Sequence, residues 1–142
     1  MKLLFPGTNA FLEIDVLSYQ HPNSTEFYDL NWLNCRVMCQ IGSLKITESL
    51  SLLTIDFVEL YKSILIFQEQ ASDVIQFQTL EEQLQFTIFR KKTTNITIKG
   101  MISAILIDNG VFNFKFDAET LSFSTIESLK NIMLNFPVIH EE

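Results

Sequence analysis

Apolar and polar residues alternate along much of the chain with the two-residue period of β-strands. Residues 10–18 show this alternation clearly, as expected of a strand that turns one face to a core and the other to solvent. Residues 32–41 and 44–50 follow, and Gly42 between them can take the positive φ that a tight turn requires. We expect the last two strands to pair as an antiparallel hairpin.

The pattern changes to a helical period at residue 54. Apolar residues then recur three and four positions apart, at Phe57, Leu60, Tyr61, Ile64 and Leu65. Thr54 suits the N-cap position, and Asp56 and Glu59 place negative charge where the helix dipole favours it. The sequence therefore predicts a helix over 54–68 with Asp56 and Glu59 on its outer face.

Alternation returns after this helix and predicts four more strands, at 74–79, 84–90, 96–107 and 111–116. Turns are expected between them, at Glu81-Glu82, within 91–95 and at Asp108-Asn109-Gly110. These short connections favour an antiparallel meander, because parallel strands need long crossovers.

The chain closes with a second helical segment. Ser124-Thr125-Ile126-Glu127 has the pattern of a capping box, and an apolar stripe follows it at helical spacing. Pro137 cannot easily continue a helix. The sequence therefore predicts a helix over about 124–136.

These elements predict an α+β fold. The 142 residues fit one domain, 1–142, and a chain of that length buries roughly 68% of the surface that it exposes when unfolded. One face of an antiparallel sheet can be covered while the other stays wet. We expect two layers, an antiparallel sheet of about seven strands with both helices packed on one face.

Residues 11–33 carry the most specific pattern. An apolar strand, Phe11 to Leu17, leads to the turn Tyr19-Gln20-His21-Pro22, then to a polar stretch, and then to Asp29-Leu30-Asn31-Trp32-Leu33. Trp32 is the only tryptophan, and a tryptophan between a loop and a strand is typical of a structural anchor. The residues before it could form a recognition loop that this anchor holds in place.

This arrangement resembles the WapI-type immunity proteins, which bacteria make to neutralise the toxic tip of WapA-like polymorphic toxins. The resemblance continues through the helix near 54–68 to Leu134-Asn135-Phe136-Pro137, although residues 69–92 match only in their apolar pattern. The family has no invariant catalytic signature. The resemblance thus implies a bacterial immunity protein that binds a cognate toxin domain and blocks it without catalysis.

The charge balance is consistent with such a role. Seventeen acidic and ten basic residues give a net charge of −7, which repels nucleic acid and attracts basic surfaces. Nuclease toxins need basic surfaces to hold phosphates, so the expected partner is a toxin domain with a basic surface, acting on RNA. The short basic cluster Arg90-Lys91-Lys92 indicates a charged hairpin tip and not a nucleic-acid site.

The candidate partner-binding residues precede Trp32: Glu26, Phe27, Tyr28 and Asp29. Acidic side chains would stand in for phosphates, and aromatic side chains would supply buried anchors. Asp56 and Glu59 are a second choice. Each acidic residue, taken singly, also fits an ordinary solvated or capping role.

Other features indicate a cytoplasmic protein without metal or cofactor. No apolar run reaches the roughly 18 residues of a membrane helix, and the N-terminal apolar run is too short for a secretory signal. Cys35 and Cys39 lie four positions apart in one predicted strand, about 13 Å, so they cannot pair with each other. Buried free thiols are expected, and such thiols suit the cytoplasm.

Two alternatives remain. One is a structural or regulatory module, unrelated to toxins, that docks a partner on the outer sheet face or on a strand edge. The other is an enzyme with a carboxylate pair, for which Glu13 and Asp15, about 7 Å apart along a strand, are better placed than the turn residues Glu81 and Glu82. No catalytic motif accompanies either pair, so we expect no enzymatic activity. The sequence leaves the oligomeric state open.

Overall fold

The computed structural model describes residues 1–91, 95–103 and 110–140. Its eight strands are β1 (Lys2–Gly7), β2 (Ala10–Tyr19), β3 (Trp32–Ile41), β4 (Leu44–Leu53), β5 (Val74–Gln78), β6 (Leu84–Arg90), β7 (Ile96–Ser103) and β8 (Val111–Ala118). Its helices are α1 (Phe27–Asn31), α2 (Thr54–Gln68) and α3 (Phe123–Asn135). All strand pairs are antiparallel, so the predicted α+β class is confirmed.

The strands form two sheets of four, β1-β2-β3-β4 and β5-β6-β7-β8, where the sequence pattern suggested one sheet of about seven. The break falls where α2 joins β4 to β5, because those strands no longer share a short turn. Neighbouring hairpins look alike in sequence whether or not their sheets are continuous. The sheets meet at the Phe5 and Phe86 rings, whose centroids are 5.5 Å apart, and at a 2.8 Å bond from the Thr8 N–H to the Asp117 carbonyl.

Strand β1 is the strand that the sequence pattern did not predict. Leu3 and Phe5 are buried, but exposed Leu4 between them is also apolar and hides the alternation. Pro6 fits because β1 is an edge strand, where a missing backbone donor is tolerated.

The turns largely follow the predictions. Gly42 has φ of +58° and Gly110 has φ of +65°, while the β5–β6 hairpin turns at Glu81-Glu82. Parts of the predicted 91–95 and 108–110 turns, and the end of the predicted 96–107 strand, lie outside the described residues.

The capping predictions need correction at both long helices. In α2 the N-cap is Leu53, and Asp56 supplies the capping carboxylate by accepting the Leu53 N–H at 2.8 Å. In α3 the N-cap is Ser122, whose Oγ accepts the Thr125 N–H at 3.1 Å, so the capping box that begins at Ser124 does not form. Thr125 instead donates its hydroxyl to the Leu4 carbonyl of β1, a contact that the local sequence cannot reveal.

The helices pack at the sides of the sheets and against each other. Helix α3 lies on edge strand β1, while α2 contacts α3 and edge strand β5. The buried stripe of α2 includes Phe67, and Leu65, which the helical pattern assigned to that stripe, is 41% exposed. Buried residues from both sheets, α2 and α3 form one continuous apolar cluster.

Candidate functional site

The loop before β3 ends in a single helical turn, α1. The Ser24 hydroxyl accepts the Glu26 N–H at 3.1 Å and lies 3.4 Å from an Asp29 carboxylate oxygen. The Leu30 N–H then closes the turn on the Glu26 carbonyl at 2.9 Å. Ser24 thus contacts Glu26, which precedes the helix, and Asp29 within it. These contacts tie the loop to the start of α1.

The four residues predicted to bind the partner share one site. Glu26, Phe27, Tyr28 and Asp29, together with His140, line an open depression of about 550 Å³. Tyr28 is 64% exposed, and its ring meets the Phe27 ring edge to face, with centroids 5.6 Å apart. The structure therefore brings these four residues together.

A second cavity adjoins this depression. It measures about 240 Å³ and is again bordered by Phe27 and Tyr28. Leu53 and Ile55 border it where α2 begins, and Val138 borders it from the C-terminal segment. The contribution of Val138 and His140 had no signal in the sequence, because it depends on how residues 137–140 cross the molecule.

Asn31 holds the three parts of this site together. Its Nδ2 donates to the Phe27 carbonyl at 2.8 Å and to the Ile139 carbonyl at 2.9 Å. Its Oδ1 accepts the Ile139 N–H at 2.8 Å and the Thr54 hydroxyl at 2.6 Å. Asn31 is only 2% exposed, so both donors and both acceptor positions of a buried amide are used.

Trp32, the expected anchor, is the first residue of β3 and is partly buried. It pairs with Leu53 of β4, and its carbonyl accepts the Gln20 N–H at 2.8 Å. The side chain that visibly ties the loop to other elements is that of its neighbour, Asn31. The sequence pattern drew attention to the adjacent residue because tryptophan is rarer than asparagine.

Asp56 and Glu59, the second choice, border neither the depression nor the cavity. Asp56 is engaged as the α2 cap, and burial raises its pKa although the Leu53 N–H acts in the opposite direction. Glu59 is exposed and lies 3.6 Å from the Lys62 ammonium group. In this structure both have the ordinary helix roles that their positions suggested.

Residues 3–137 match the family described as Immunity protein WapI-like family. The chain belongs to this family. No curated protein and no solved structure matches it. The match includes α1, Asn31 and the start of α2 and stops just before Val138, so it covers most of the candidate site and nearly the whole fold.

In this member of the family, Asp15, one of the two carboxylates considered for catalysis, forms ion pairs inside the protein. Asp15 is 7% exposed, and its carboxylate lies 3.2 Å from the Arg36 guanidinium and 3.3 Å from the Met1 amino group. Glu13 is only partly buried on the same strand. Ion pairing accounts for Asp15, because a buried carboxylate needs a compensating charge.

The basic cluster also makes internal contacts. The Arg90 guanidinium lies 3.8 Å from the centre of the Phe67 ring and donates to the Phe67 carbonyl near the end of α2, where the helix dipole favours a cation. The Lys91 ammonium lies 2.7 Å from the Asp117 carboxylate. Arg90 thus joins the second sheet to α2, whereas Lys91 forms an ion pair within that sheet, and Lys92 lies outside the described residues.

The remaining features of interest are the cysteines, possible metal ligands and possible membrane helices. Cys35 and Cys39 are buried free thiols, as expected, and burial raises their pKa values to about 12 and about 11. In the part of the chain that the structure describes, no three His, Cys, Asp or Glu residues are grouped as metal ligands. None of the helices within that part is long and apolar enough to cross a bilayer.

Proposed function

We propose that this chain is a bacterial immunity protein that binds a cognate toxin domain in the cytoplasm and blocks it by occlusion, without catalysis. The observation that carries the proposal is the family match over residues 3–137. It is supported by the gathering of Glu26, Phe27, Tyr28 and Asp29 around one open depression. Tyrosine is enriched among the residues that dominate protein interfaces, and Tyr28 is 64% exposed.

We further propose that the toxin domain is a nuclease acting on RNA and meets this protein through a basic surface. The chain carries a net charge of −7, which would speed encounter with a basic partner. Among the described residues, neither Glu26 nor Asp29 forms an ion pair. Their carboxylates, of which that of Asp29 also meets the Ser24 hydroxyl at 3.4 Å, would stand in for phosphate groups on the toxin.

The test uses the toxin domain encoded beside this gene. Co-expression should restore growth to cells that produce the toxin domain, and the two purified proteins should form a stable complex. The double charge reversal Glu26→Lys and Asp29→Lys should weaken the complex by about a hundredfold, because each reversal places like charges in contact. Glu81→Lys with Glu82→Lys, in the exposed β5–β6 turn, makes the same change in net charge and is the matched control.

Absence of both protection and complex formation would refute the proposal. Equal weakening by the control pair would show that net charge, and not the α1 surface, governs binding. A toxin domain that is bound and blocked but has no activity on RNA would leave the immunity role intact and remove the nuclease assignment.

A structural or regulatory docking module is the second candidate. The outer face of the second sheet favours it, because a depression of about 530 Å³ there combines polar and apolar residues, as a docking surface does. They include Gln76, Gln78, Gln85 and Asn113 on the polar side and Phe77, Phe86, Phe89 and Met101 on the apolar side. Genomic setting separates the two functions. A toxin domain encoded immediately upstream supports immunity, whereas an isolated gene among housekeeping functions supports the docking module.

A further inference from the structure

The cavity and the acidic depression of the candidate site form adjacent halves of one surface. Phe27 and Tyr28 border both, so the two spaces are neighbours that share these aromatic residues. The cavity half is largely apolar, because Leu53, Ile55 and Val138 line it together with Asn31 and Thr54, whose side chains bond to each other. The depression half carries the carboxylates of Glu26 and Asp29.

The size of the cavity limits what can enter it. A volume of about 240 Å³ is below the roughly 300–1,000 Å³ of pockets that enclose drug-sized ligands. It suits a single large aliphatic or aromatic side chain. Ile55 is 44% exposed at its edge, so apolar surface is already available to a residue that arrives from outside.

The charge beside the cavity has one sign. Among the described residues, no lysine or arginine borders either space, while two carboxylates and the imidazole of His140 border the depression. A partner whose inserted side chain is flanked by lysine or arginine would therefore meet complementary charge within reach of the cavity. An acidic segment would be repelled from the same place.

The site is also organised before binding. Asn31 bonds α1, the start of α2 and the C-terminal segment at the same time, and these are the elements that supply the cavity walls. A wall fixed by four hydrogen bonds loses little conformational entropy when a partner arrives, which favours affinity. An isolated apolar dimple on mobile loops would lack this advantage.

We propose that the toxin domain inserts one large apolar side chain into the cavity bordered by Phe27, Tyr28 and Ile55, while a neighbouring lysine or arginine pairs with Glu26 and Asp29. This inference rests on the proposed function and adds the chemistry of the contact. We call this surface the socket: it comprises the cavity bordered by Phe27, Tyr28 and Ile55 and the adjoining carboxylates of Glu26 and Asp29. Binding is then strongest where an apolar residue lies next to a basic one on the toxin.

The principal test fills the cavity with an enlarged side chain of this protein itself. Ile55→Trp places a large side chain at the cavity edge, and Leu80→Trp makes a comparable change at a residue that is 64% exposed in the β5–β6 turn. Calorimetric titration with the toxin domain encoded beside the gene should show about tenfold or greater loss of affinity for Ile55→Trp and less than twofold for Leu80→Trp. Thermal unfolding of both variants establishes that each is folded.

A second pair of variants removes a wall instead of filling the space. Tyr28→Ala should weaken binding by about tenfold, whereas Phe123→Ala, which truncates an aromatic that is 76% exposed on α3, should change it less than twofold. Amide hydrogen exchange of the complex should show new protection in 26–31, 54–56 and 138–140. This measurement requires no substitution.

The outcomes separate the two proposals. If the wild-type protein binds and protects, but neither Ile55→Trp nor Tyr28→Ala weakens binding and exchange is slowed elsewhere, the socket is refuted and the immunity role stands. If the wild-type protein neither binds nor protects, the proposed function fails, and the socket fails with it. Weakening by Ile55→Trp and Tyr28→Ala, with protection at the three segments, supports the socket.

Discussion

The acidic residues of the first sheet and those of helix α1 differ in what neutralises them. Asp15 on β2 is nearly buried and lies within ion-pair distance of the Arg36 guanidinium. Glu26 and Asp29 at α1 border open space and have no ion-pair partner among the described residues. Carboxylates of equal formal charge are therefore paired with cations in one region and, among the described residues, left without them in the other.

The same comparison extends to polar amides. Asn31 is buried and makes four bonds that hold the α1 corner, whereas Asn34, three residues later, is exposed and donates one bond to the Ser18 hydroxyl. Two asparagines on the same segment thus differ in whether the fold depends on them. The difference provides the sharpest way to test which contacts hold the site.

The largest effect is expected from Asn31→Ala. The substitution leaves the partly buried Phe27 and Ile139 carbonyls without the Asn31 donor and the Thr54 hydroxyl without its acceptor, so the free energy of unfolding should fall by about 2–4 kcal/mol. Asn34→Ala is the control and should change it by less than about 0.5 kcal/mol. Urea denaturation measures both values. Equal effects of the two substitutions would contradict the role assigned to Asn31.

The next effect concerns the Asp15 pair. Arg36→Met keeps an unbranched apolar side chain on the surface but removes a charge 3.2 Å from a carboxylate that is 7% exposed. We expect a loss of about 1–2 kcal/mol, less than for a fully buried pair, because Arg36 is itself exposed and the Met1 amino group remains nearby. Urea denaturation in low and high salt would check it. No change in either would show that Asp15 does not depend on Arg36.

The contributions of Asp56 and Asp117 to stability should change with pH in opposite directions. Burial raises the pKa of Asp56 above 3.8, so the folded chain binds that proton more tightly and loses stability as the pH rises from 3.8 through the raised value. Hydrogen bonds from Lys91 and then Thr97 lower the pKa of Asp117 below 3.8, so its stabilisation is present above 3.8 and is lost as the pH falls through the lowered value.

Asp56→Asn and Asp117→Asn, compared with the wild type by urea denaturation between about pH 3 and pH 6, should therefore remove slopes of opposite sign. Slopes of the same sign would contradict one of the two assignments. The Asp117 effect should be the smaller, because that carboxylate is solvent-exposed and its interactions are screened.

The smallest effect is expected from Glu59→Lys. Its carboxylate is 63% exposed and 3.6 Å from Lys62, so stability should change by no more than about 0.5 kcal/mol. Binding to the toxin domain should change less than with Glu26→Lys, because Glu59 borders neither part of the socket. Calorimetric titration of the two single variants would compare them. Stronger weakening by Glu59→Lys would move the binding surface to α2.

Local patterns were sufficient for many of the elements. The period of apolar residues located α2 over 54–68, and the turn at Gly42 required only the residue type that tolerates positive φ. The N-cap of α3 was misplaced by two residues because Ser122 and Ser124 are both good caps. Which of the two serines caps the helix depends on Thr125, whose hydroxyl bonds the Leu4 carbonyl more than a hundred positions away along the chain.

For the candidate site, the sequence indicated the acidic and aromatic residues of α1 but not their surroundings. Glu26 to Asp29 stand out because charge and aromaticity coincide on a polar loop. Asn31 was indicated only as the asparagine of the Asp29-Leu30-Asn31-Trp32-Leu33 motif, and Val138 and His140 had no signal, since valine and histidine occur throughout proteins in ordinary roles. Their importance arises from a contact between the loop and the end of the chain, separated by 108 positions.

The sequence by itself determined the α+β class, the two long helices, most strands, the burial of Cys35 and Cys39, and the family to which the chain belongs. These follow from composition, period and order, which act over a few residues or are shared by a whole family. Tertiary structure alone decided that the strands divide into two sheets and that, among the described residues, Asp15 and Asp117 are paired with cations while Glu26 and Asp29 are not. The reason is physical, because a carboxylate is neutralised by whatever lies within a few ångströms in space, whatever its separation along the chain.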